Sequence, residues 1–266
     1  MLKFHHIVIT GASSGIGEAL ALHYAAPGVR LSLSGRNMER LESVAKHCRE
    51  KGAEAEGALV NVRDEAAMKN WLLEADKRAP VDLLIANAGI SAGTGGVENG
   101  EDSAQIHEVF DVNLNGVLHT LQPLLPLMHG RGYGHIALMS SLAGFRGWPG
   151  APAYCASKAA VKSYREALRG SLRSSGVSVH VICPGFVTSR MTDVNNFPMP
   201  FKIDADKAAQ IIAKGIERDK GRIAFPFIPA LLCWFLGAAP DALAGRLLKG
   251  MPAKRAAGDQ NRLSES

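Results

Sequence analysis

The sequence predicts an α/β domain: a doubly wound parallel sheet of about seven strands flanked by helices, over residues 1–255, followed by a polar tail at 256–266. Short apolar or β-branched runs alternate with longer stretches of helical period, the pattern of repeated βα units. A glycine cluster, TGASSGIG at residues 10–17, directly follows the run HHIVI. No composition shift, long linker or internal repeat divides the chain, and the last residues, AAGDQNRLSES, are polar and aperiodic, as a frayed end would be.

The strand candidates, in order, are residues 6–10, 30–34, 56–60, 81–86, 135–140, 177–183 and 222–225. A helix at 16–26 follows the first and stops at Pro27 and Gly28; a second, at 38–51, stops at Gly52. The stretch 223–240, IAFPFIPALLCWFLGAAP, carries no charge. Its first residues complete the seventh strand, and Pro226 and Pro229 are expected to interrupt helix formation. The remaining apolar run is shorter than the roughly 20 residues of a membrane span. Three readings stay open: a buried helix over a cleft, a subunit contact, or an interfacial helix assisted by Arg246 and Lys249, with burial in the protein or an oligomer as the default.

Composition narrows the function. Hydrophobic residues make up 47% and charged residues 21%, as in ordinary globular proteins. The net charge of +5 is scattered, and its short clusters such as Lys254 and Arg255 lack the interleaved aromatics of a nucleic-acid surface. Cys48, Cys155, Cys183 and Cys233 lie far apart with no metal-ligand spacing, so no metal site is expected. The N-terminus has no signal-peptide pattern, which points to a reducing, cytoplasmic setting, with peripheral membrane association as the lesser alternative.

A strand ending at Thr10, a glycine turn and a helix opening near Ile16 bring free backbone N–H groups and a positive helix end together, a site suited to a pyrophosphate. Gly11 would permit the turn, Gly15 the approach of the phosphates and Gly17 close helix packing. A glycine cluster alone could equally be a tight turn that binds nothing. The spacing, however, is GxxxGxG with Thr10 in front, and it resembles the cofactor loop of the short-chain dehydrogenase/reductase family. Further motifs match that family in order: NAG at residues 87–89, Asn113 in DVNLNGV, Ser141 in MSSLAG, Tyr154 and Lys158 in YCASK, and PGFVTS at 184–189. They span residues 5 to about 190, and their agreement in one register is what makes the resemblance specific.

The resemblance implies a Rossmann-type domain holding a nicotinamide dinucleotide. The cofactor contacts it implies are Gly11, Ser13, Ser14, Gly15, Ile16 and Gly17 in the loop; Asn61 and Val62 near the adenine; Asn87, Ala88 and Gly89; Tyr154 and Lys158; and Pro184, Gly185, Val187 and Thr188. Asn61 stands where the family usually carries an acid, although an amide can also accept a hydrogen bond. Thr188 is expected to meet the nicotinamide carboxamide. Commonly dimeric or tetrameric relatives imply a homo-oligomer.

Tyr154 and Lys158 are four residues apart in a helical stretch and so share a face. An ammonium beside a phenol favours the phenolate, so Tyr154 is expected to have a lowered pKa and to act as general acid and base. Ser141, thirteen residues earlier at a strand end, is placed to hydrogen-bond a substrate oxygen as charge develops, with Ser140 as its competitor. By resemblance, Lys158 also grips the ribose, and Asn113 orders a water that completes a proton relay. Each residue singly has an ordinary explanation; together they need four coincidences.

The second strand ends SLSGRN, with Gly35 where an NAD enzyme of this type carries an acid and Arg36 next to it. Room for a 2′-phosphate and a cation to pair with it favour NADP(H). Ser34 and Asn37 can add neutral hydrogen bonds.

Substrate walls are expected from residues 91–97, 142–148 and 191–201, where Phe145, Trp148, Met191, Phe197, Met199 and Phe201 suggest an apolar pocket and Arg146 could meet a carboxylate. The leading reading is an NADP(H)-dependent oxidoreductase acting on a carbonyl or alcohol of an apolar small molecule. Its alternatives are a cofactor-sensing regulatory protein with little turnover and a membrane-associated lipid reductase.

Overall fold

The computed structural model describes residues 4–95, 100–193 and 197–249. Among them, the strands β1 (His6–Thr10), β2 (Arg30–Gly35), β3 (Glu54–Leu59), β4 (Leu83–Ala86), β5 (Gly134–Met139), β6 (Val177–Pro184) and β7 (Arg222–Phe225) form one sheet in the order β3-β2-β1-β4-β5-β6-β7. Every neighbouring pair is parallel. The connections therefore carry helices: α1 (Gly15–Tyr24), α2 (Met38–Glu50), α3 (Glu65–Arg78), α4 (Ser103–Phe110), α5 (Gly116–Leu121), α6 (Leu125–Arg131), α7 (Pro152–Ser171), α8 (Arg190–Asp193), α9 (Ala205–Glu217), α10 (Phe227–Ala238) and α11 (Asp241–Leu248).

Alternation along each strand builds a core on both faces. Ile7, Ile9, Leu31 and Leu33 pack against Leu20 of α1, Leu41 of α2 and Ile212 of α9. Val8, Leu84, Ile136 and Leu138 pack on the other face against Met68 and Leu72 of α3, Leu121 of α5 and Val161 of α7. All five residues of β1 are buried, as befits a central strand covered on both sides.

Strand order reverses between β1 and β4, so the carboxyl ends of these strands diverge into a crevice, the usual ligand edge of such sheets. The segments 10–17, 87–89, 140–145 and 184–190 all lie along that edge. Between α4 and α5 the chain makes a π-helical turn, Asp111–Asn115, whose extra residue turns Asn113 inward until it is fully buried.

The sequence-based strands agree with the observed ones to within about two residues. The C-terminal stretch departs from expectation: Pro229 does not block a helix, because it falls in the first turn of α10, where backbone N–H groups have no intrahelical acceptor. Nor is α10 covered by the other described residues: Cys233 is its buried residue, at the contact with Leu142, Val181 and Cys183. No helix among the described residues is long and apolar enough to cross a membrane. Lys254, Arg255 and the tail at 256–266 lie outside the described residues.

Candidate active site and cofactor cleft

Thr10 is the junction of the phosphate loop. Its Oγ1 accepts hydrogen bonds from the backbone N–H groups of Asn87 (3.1 Å) and Ala88 (3.2 Å). The Asn87 amide returns bonds to the carbonyls of Thr10 (3.0 Å) and Gly11 (3.1 Å). These four bonds fasten the β1 loop to the β4 loop, and Thr10 is a residue that sequence reasoning used only as a motif letter. Gly11 has φ +65°, and a Cβ there would come within 2.8 Å of the Ala88 backbone. A Cβ at Gly17 would overlap the Gly11 carbonyl and the Asn87 amide, so close packing does account for this glycine, against the loops rather than the sheet.

Ser14, extended at the N-cap of α1, makes no side-chain capping bond, which leaves the first-turn N–H groups of a ten-residue helix facing the cleft. Gly15 (φ +58°) follows, its open side bounded by Ser189, while Ser13 packs beside Gly35. Ile16 is half-buried against the core of that face. Bare helix N–H groups beside side-chain-free backbone fit a pyrophosphate.

At the far end of β2, Gly35 is buried and Arg36 exposed. Asn37 caps α2, its Oδ1 accepting from Arg40 N at 2.8 Å. Ser34 is fully buried, which removes it from the cleft surface and corrects its expected ligand role. Arg40 is half-buried, and its Nε has no hydrogen-bond partner among the described residues. Burial and then the like charges of Arg190 and Arg36 lower its pKa. Three guanidinium groups, from the β2 end, from α2 and from α8, thus converge on one region, whereas the sequence had offered Arg36 alone. Across from them, the Asn61 Oδ1 accepts from Arg63 N (3.1 Å) in a local turn, so the acceptor expected to face adenine is already engaged. Val62 is buried, its carbonyl bonded by the His119 ring at 2.9 Å.

The reacting end lies between β5 and α7. Proline at the first position of α7 and the Glu101 carboxylate, which accepts from Ala153 N at 2.8 Å, start this helix immediately before Tyr154. Tyr154 and Ser141 are both buried, and the serine bears on the ionisation of the phenol. The Ser141 Oγ also accepts from Ala143 N (3.1 Å) and lies 3.4 Å from the Pro184 carbonyl. Ser140, the competitor, faces away and donates to the Lys158 carbonyl at 2.7 Å. It holds the backbone of the lysine and is a positioning residue.

Lys158 is buried, with Nζ donating to the Met139 carbonyl at 3.1 Å and lying 5.8 Å from the centre of the Tyr154 ring. Burial is the largest influence on Tyr154 and raises its pKa, with the Ser141 hydrogen bond opposing. This corrects the expectation of a lowered value: helical spacing puts Tyr154 and Lys158 on one face, but the ammonium is directed at a carbonyl. Asn113 accepts from Ile90 N (2.8 Å) and donates to the Ile90 carbonyl (2.9 Å) and the Ser157 hydroxyl (3.2 Å), fixing the segment after Gly89. A Cβ on Gly89 would stand 3.1 Å from Asn113 Oδ1 and 3.3 Å from Lys158 Nζ.

Beyond β6, Gly185 N donates to the Phe225 carbonyl at 2.7 Å, Val187 is buried, and Thr188 is exposed with its N–H on the Ile203 carbonyl at 2.9 Å. Around Tyr154, Ala92, Val109, Ala151 and Cys155 form an apolar cluster with Ile106, Phe110 and Trp148 at its margin. Met191 and Phe201 are exposed, and Phe197 packs edge-on to Phe186. Phe145 departs from the expected wall, lying with Leu142 and Cys183 beneath the Lys162 and Arg222 cations. Arg146 is committed elsewhere too, to Asp241 (2.6 Å) and the Ala239 carbonyl (3.3 Å), so it ties down the corner between α10 and α11. Residues 96–99 and 194–196 of the expected walls lie outside the described residues.

A switch-point crevice with a bare helix N-terminus at one end and a Ser-Tyr-Lys cluster at the other defines a dinucleotide-dependent oxidoreductase. The short chain dehydrogenase family model matches residues 5–198, and the chain belongs to that family. An uncharacterized oxidoreductase of Myxococcus xanthus is 38% identical over 253 residues, 92% of this chain and 98% of that protein. A 3beta-hydroxysteroid dehydrogenase of Mediterraneibacter gnavus is 34% identical, over 77% of this chain and 73% of its own length. Among solved structures, a short-chain dehydrogenase of Sphingobium yanoikuyae in complex with NADPH superposes with a TM-score of 0.78 at 25% identity, covering 93% of this chain and 98% of that one. A short-chain dehydrogenase/reductase of Burkholderia phymatum in complex with NAD gives 0.76 at 29%, covering 84% and 90%.

Proposed function

We propose that the protein is an NADP(H)-dependent oxidoreductase that interconverts a carbonyl and a secondary alcohol on an apolar small molecule. The observation that carries the reading is the grouping of buried Ser141, Tyr154 and Lys158 at the ligand edge, with the tyrosine inside an apolar cluster. The nicotinamide, when bound, supplies or accepts the hydride at the substrate carbon. Tyr154, kept as the neutral phenol by burial, is in the form that donates a proton to the developing alkoxide, and this favours reduction. Ser141 donates a second hydrogen bond to the same oxygen and lowers the energy of its negative charge. Lys158 would hold the nicotinamide ribose, and its ammonium, 5.8 Å from the centre of the Tyr154 ring, stabilises the tyrosinate when it forms. Asn113 holds the floor of the cleft through Ile90 and carries the route by which Tyr154 is reprotonated.

NADP(H) is preferred over NAD(H) because Arg36, Arg40 and Arg190 offer a 2′-phosphate three cations and no opposing carboxylate at Gly35. The hydroxysteroid named for the Mediterraneibacter relative suggests rigid, apolar ketones as the first compounds to test. A panel of such ketones and their alcohols, run against both cofactors, tests the proposal; absence of turnover across the panel would favour a cofactor-sensing role.

A further inference from the structure

The C-terminal helices carry the largest unexplained feature of the surface. Phe227 (76% exposed), Ile228, Leu231, Leu232, Trp234 and Phe235 (58%) project from α10, and Leu243 and Leu247 (62%) from the adjoining α11. No charge interrupts residues 223–240. A soluble monomer seldom leaves so many large apolar groups together in water, and such a patch marks a contact surface.

We infer that this face docks the protein on an anionic lipid surface, with α10 lying in the plane of the interface. Charge selects that occupant. Arg246 and Lys249 are exposed beside the apolar residues, and the sequence from 242 to 249 holds these two cations and no acid. Asp241, the nearest carboxylate before them, is paired with Arg146. A second copy would present this same face, with its cations and no carboxylate but the paired Asp241 to complement them, whereas acidic headgroups neutralise them. Twelve residues of helix extend about 18 Å, too short to cross the hydrocarbon but sufficient to lie along its boundary. Trp234 and Phe235, ring against ring at 4.9 Å, supply the aromatic bulk that partitions into that boundary.

The position of the face gives the docking a purpose. Cys233 packs on Leu142, and Gly237 lies so close to the Phe145 carbonyl that a Cβ there would come within 2.7 Å. Both partners lie on the short segment that directly follows Ser141. A docked molecule therefore holds its cleft beside the apolar phase, and the substrate class becomes ketones or alcohols that partition into lipid. This last step rests on the oxidoreductase reading; the docking does not.

The test uses the full-length protein without cofactor or substrate, sedimented with vesicles of phosphatidylcholine and phosphatidylglycerol at about 3:1, or of phosphatidylcholine alone. The native chain is expected to sediment with the mixed vesicles and much less with the neutral ones. A Leu232→Ser, Phe235→Ser, Leu247→Ser variant, altered only at exposed positions and checked for an unchanged melting temperature, should lose partitioning by about tenfold or more. Arg246→Glu with Lys249→Glu should abolish the preference for the anionic lipid. Failure of the native chain to sediment with mixed vesicles overturns the proposal, and an oligomer that the apolar variant dissociates would then assign the face to contacts between copies. Partitioning unaffected by the apolar variant overturns it equally.

Discussion

Removing Arg40 should change the discrimination between cofactors more than it changes the fold. Its guanidinium is half-buried, its Nε lacks a partner among the described residues, and Arg36 and Arg190 bear on it with like charge, so without an anion the three repel. A 2′-phosphate placed among them would gain charge-assisted hydrogen bonds of about 1.5–3 kcal/mol each, equivalent to roughly ten- to a hundredfold in dissociation constant. Arg36 is exposed and screened, so Arg36→Ala should fall at the low end of that range and Arg40→Leu toward the high end. NADH, without the phosphate, should bind both variants almost as it binds the native chain. The cofactor-free Arg40→Leu protein should melt no lower than native, since the substitution relieves repulsion and Asn37 caps the Arg40 backbone, not its side chain. Calorimetric titration of both cofactors at one ionic strength gives the ratio directly. A ratio unaltered in both variants, or a native chain that binds NADH as tightly as NADPH, would refute the reasoning.

Tyr154→Phe should reduce turnover by about three orders of magnitude or more while changing NADPH affinity only a few-fold, because the buried ring is retained and only the transferable proton is lost; steady-state rates and cofactor titration check both halves. Gly89→Ala places a methyl 3.1 Å from Asn113 Oδ1 and 3.3 Å from Lys158 Nζ, so kcat should fall about tenfold or more in a protein destabilised by roughly 1–3 kcal/mol, read from rates and urea midpoints. Stability should also decline in acid through His180, whose pKa is pulled down to about 4, first by burial, against a hydrogen bond to the Lys220 carbonyl and with His135 3.2 Å away. The folded pKa lies below the unfolded one of about 6.5, so the contribution is intact above pH 6.5 and is lost progressively as the pH falls to about 4, at a cost of roughly 3 kcal/mol. Urea midpoints from pH 7.5 to 4.5 should show this slope, and His180→Phe should flatten it.

The sheet was legible because its signals are local: each buried strand is a short apolar run, and each helix end near Gly28 or Gly52 has its stop chemistry in sequence. That Ser141, Tyr154 and Lys158 would lie together was legible through motif spacing. What spacing could not convey was direction. Tyr154 and Lys158 share a face, yet the Met139 carbonyl takes the ammonium, and only the fold brings that carbonyl there. Arg190 joins Arg36 and Arg40 from far along the chain, so nothing near the second strand announces it. Pro229 misled for another reason, since a proline that ends a helix and one that begins it look alike until the first turn is located. Phe145 and Arg146 sit in the segment expected to meet substrate, but both turn toward the C-terminal helices, which no local pattern foretells.

The π-helical turn at Asp111–Asn115 gives this segment an unusual sensitivity to length. Deleting one residue there would restore ordinary helical bonding, a local gain, but it would rotate everything downstream by about 100° about the helix axis. The His119 ring would leave the Val62 carbonyl, Gly116 would no longer sit beneath the Val62 side chain, and buried Leu121 would swing away from its core. A point substitution in the turn can be absorbed locally; a shortening cannot, because the surplus residue sets the phase between the half of the helix that carries Asn113 and the half that anchors the sheet. Surveys of insertions and deletions across this protein should therefore find a narrow interval of intolerance inside a helix, where substitution scans alone would register little beyond Asn113.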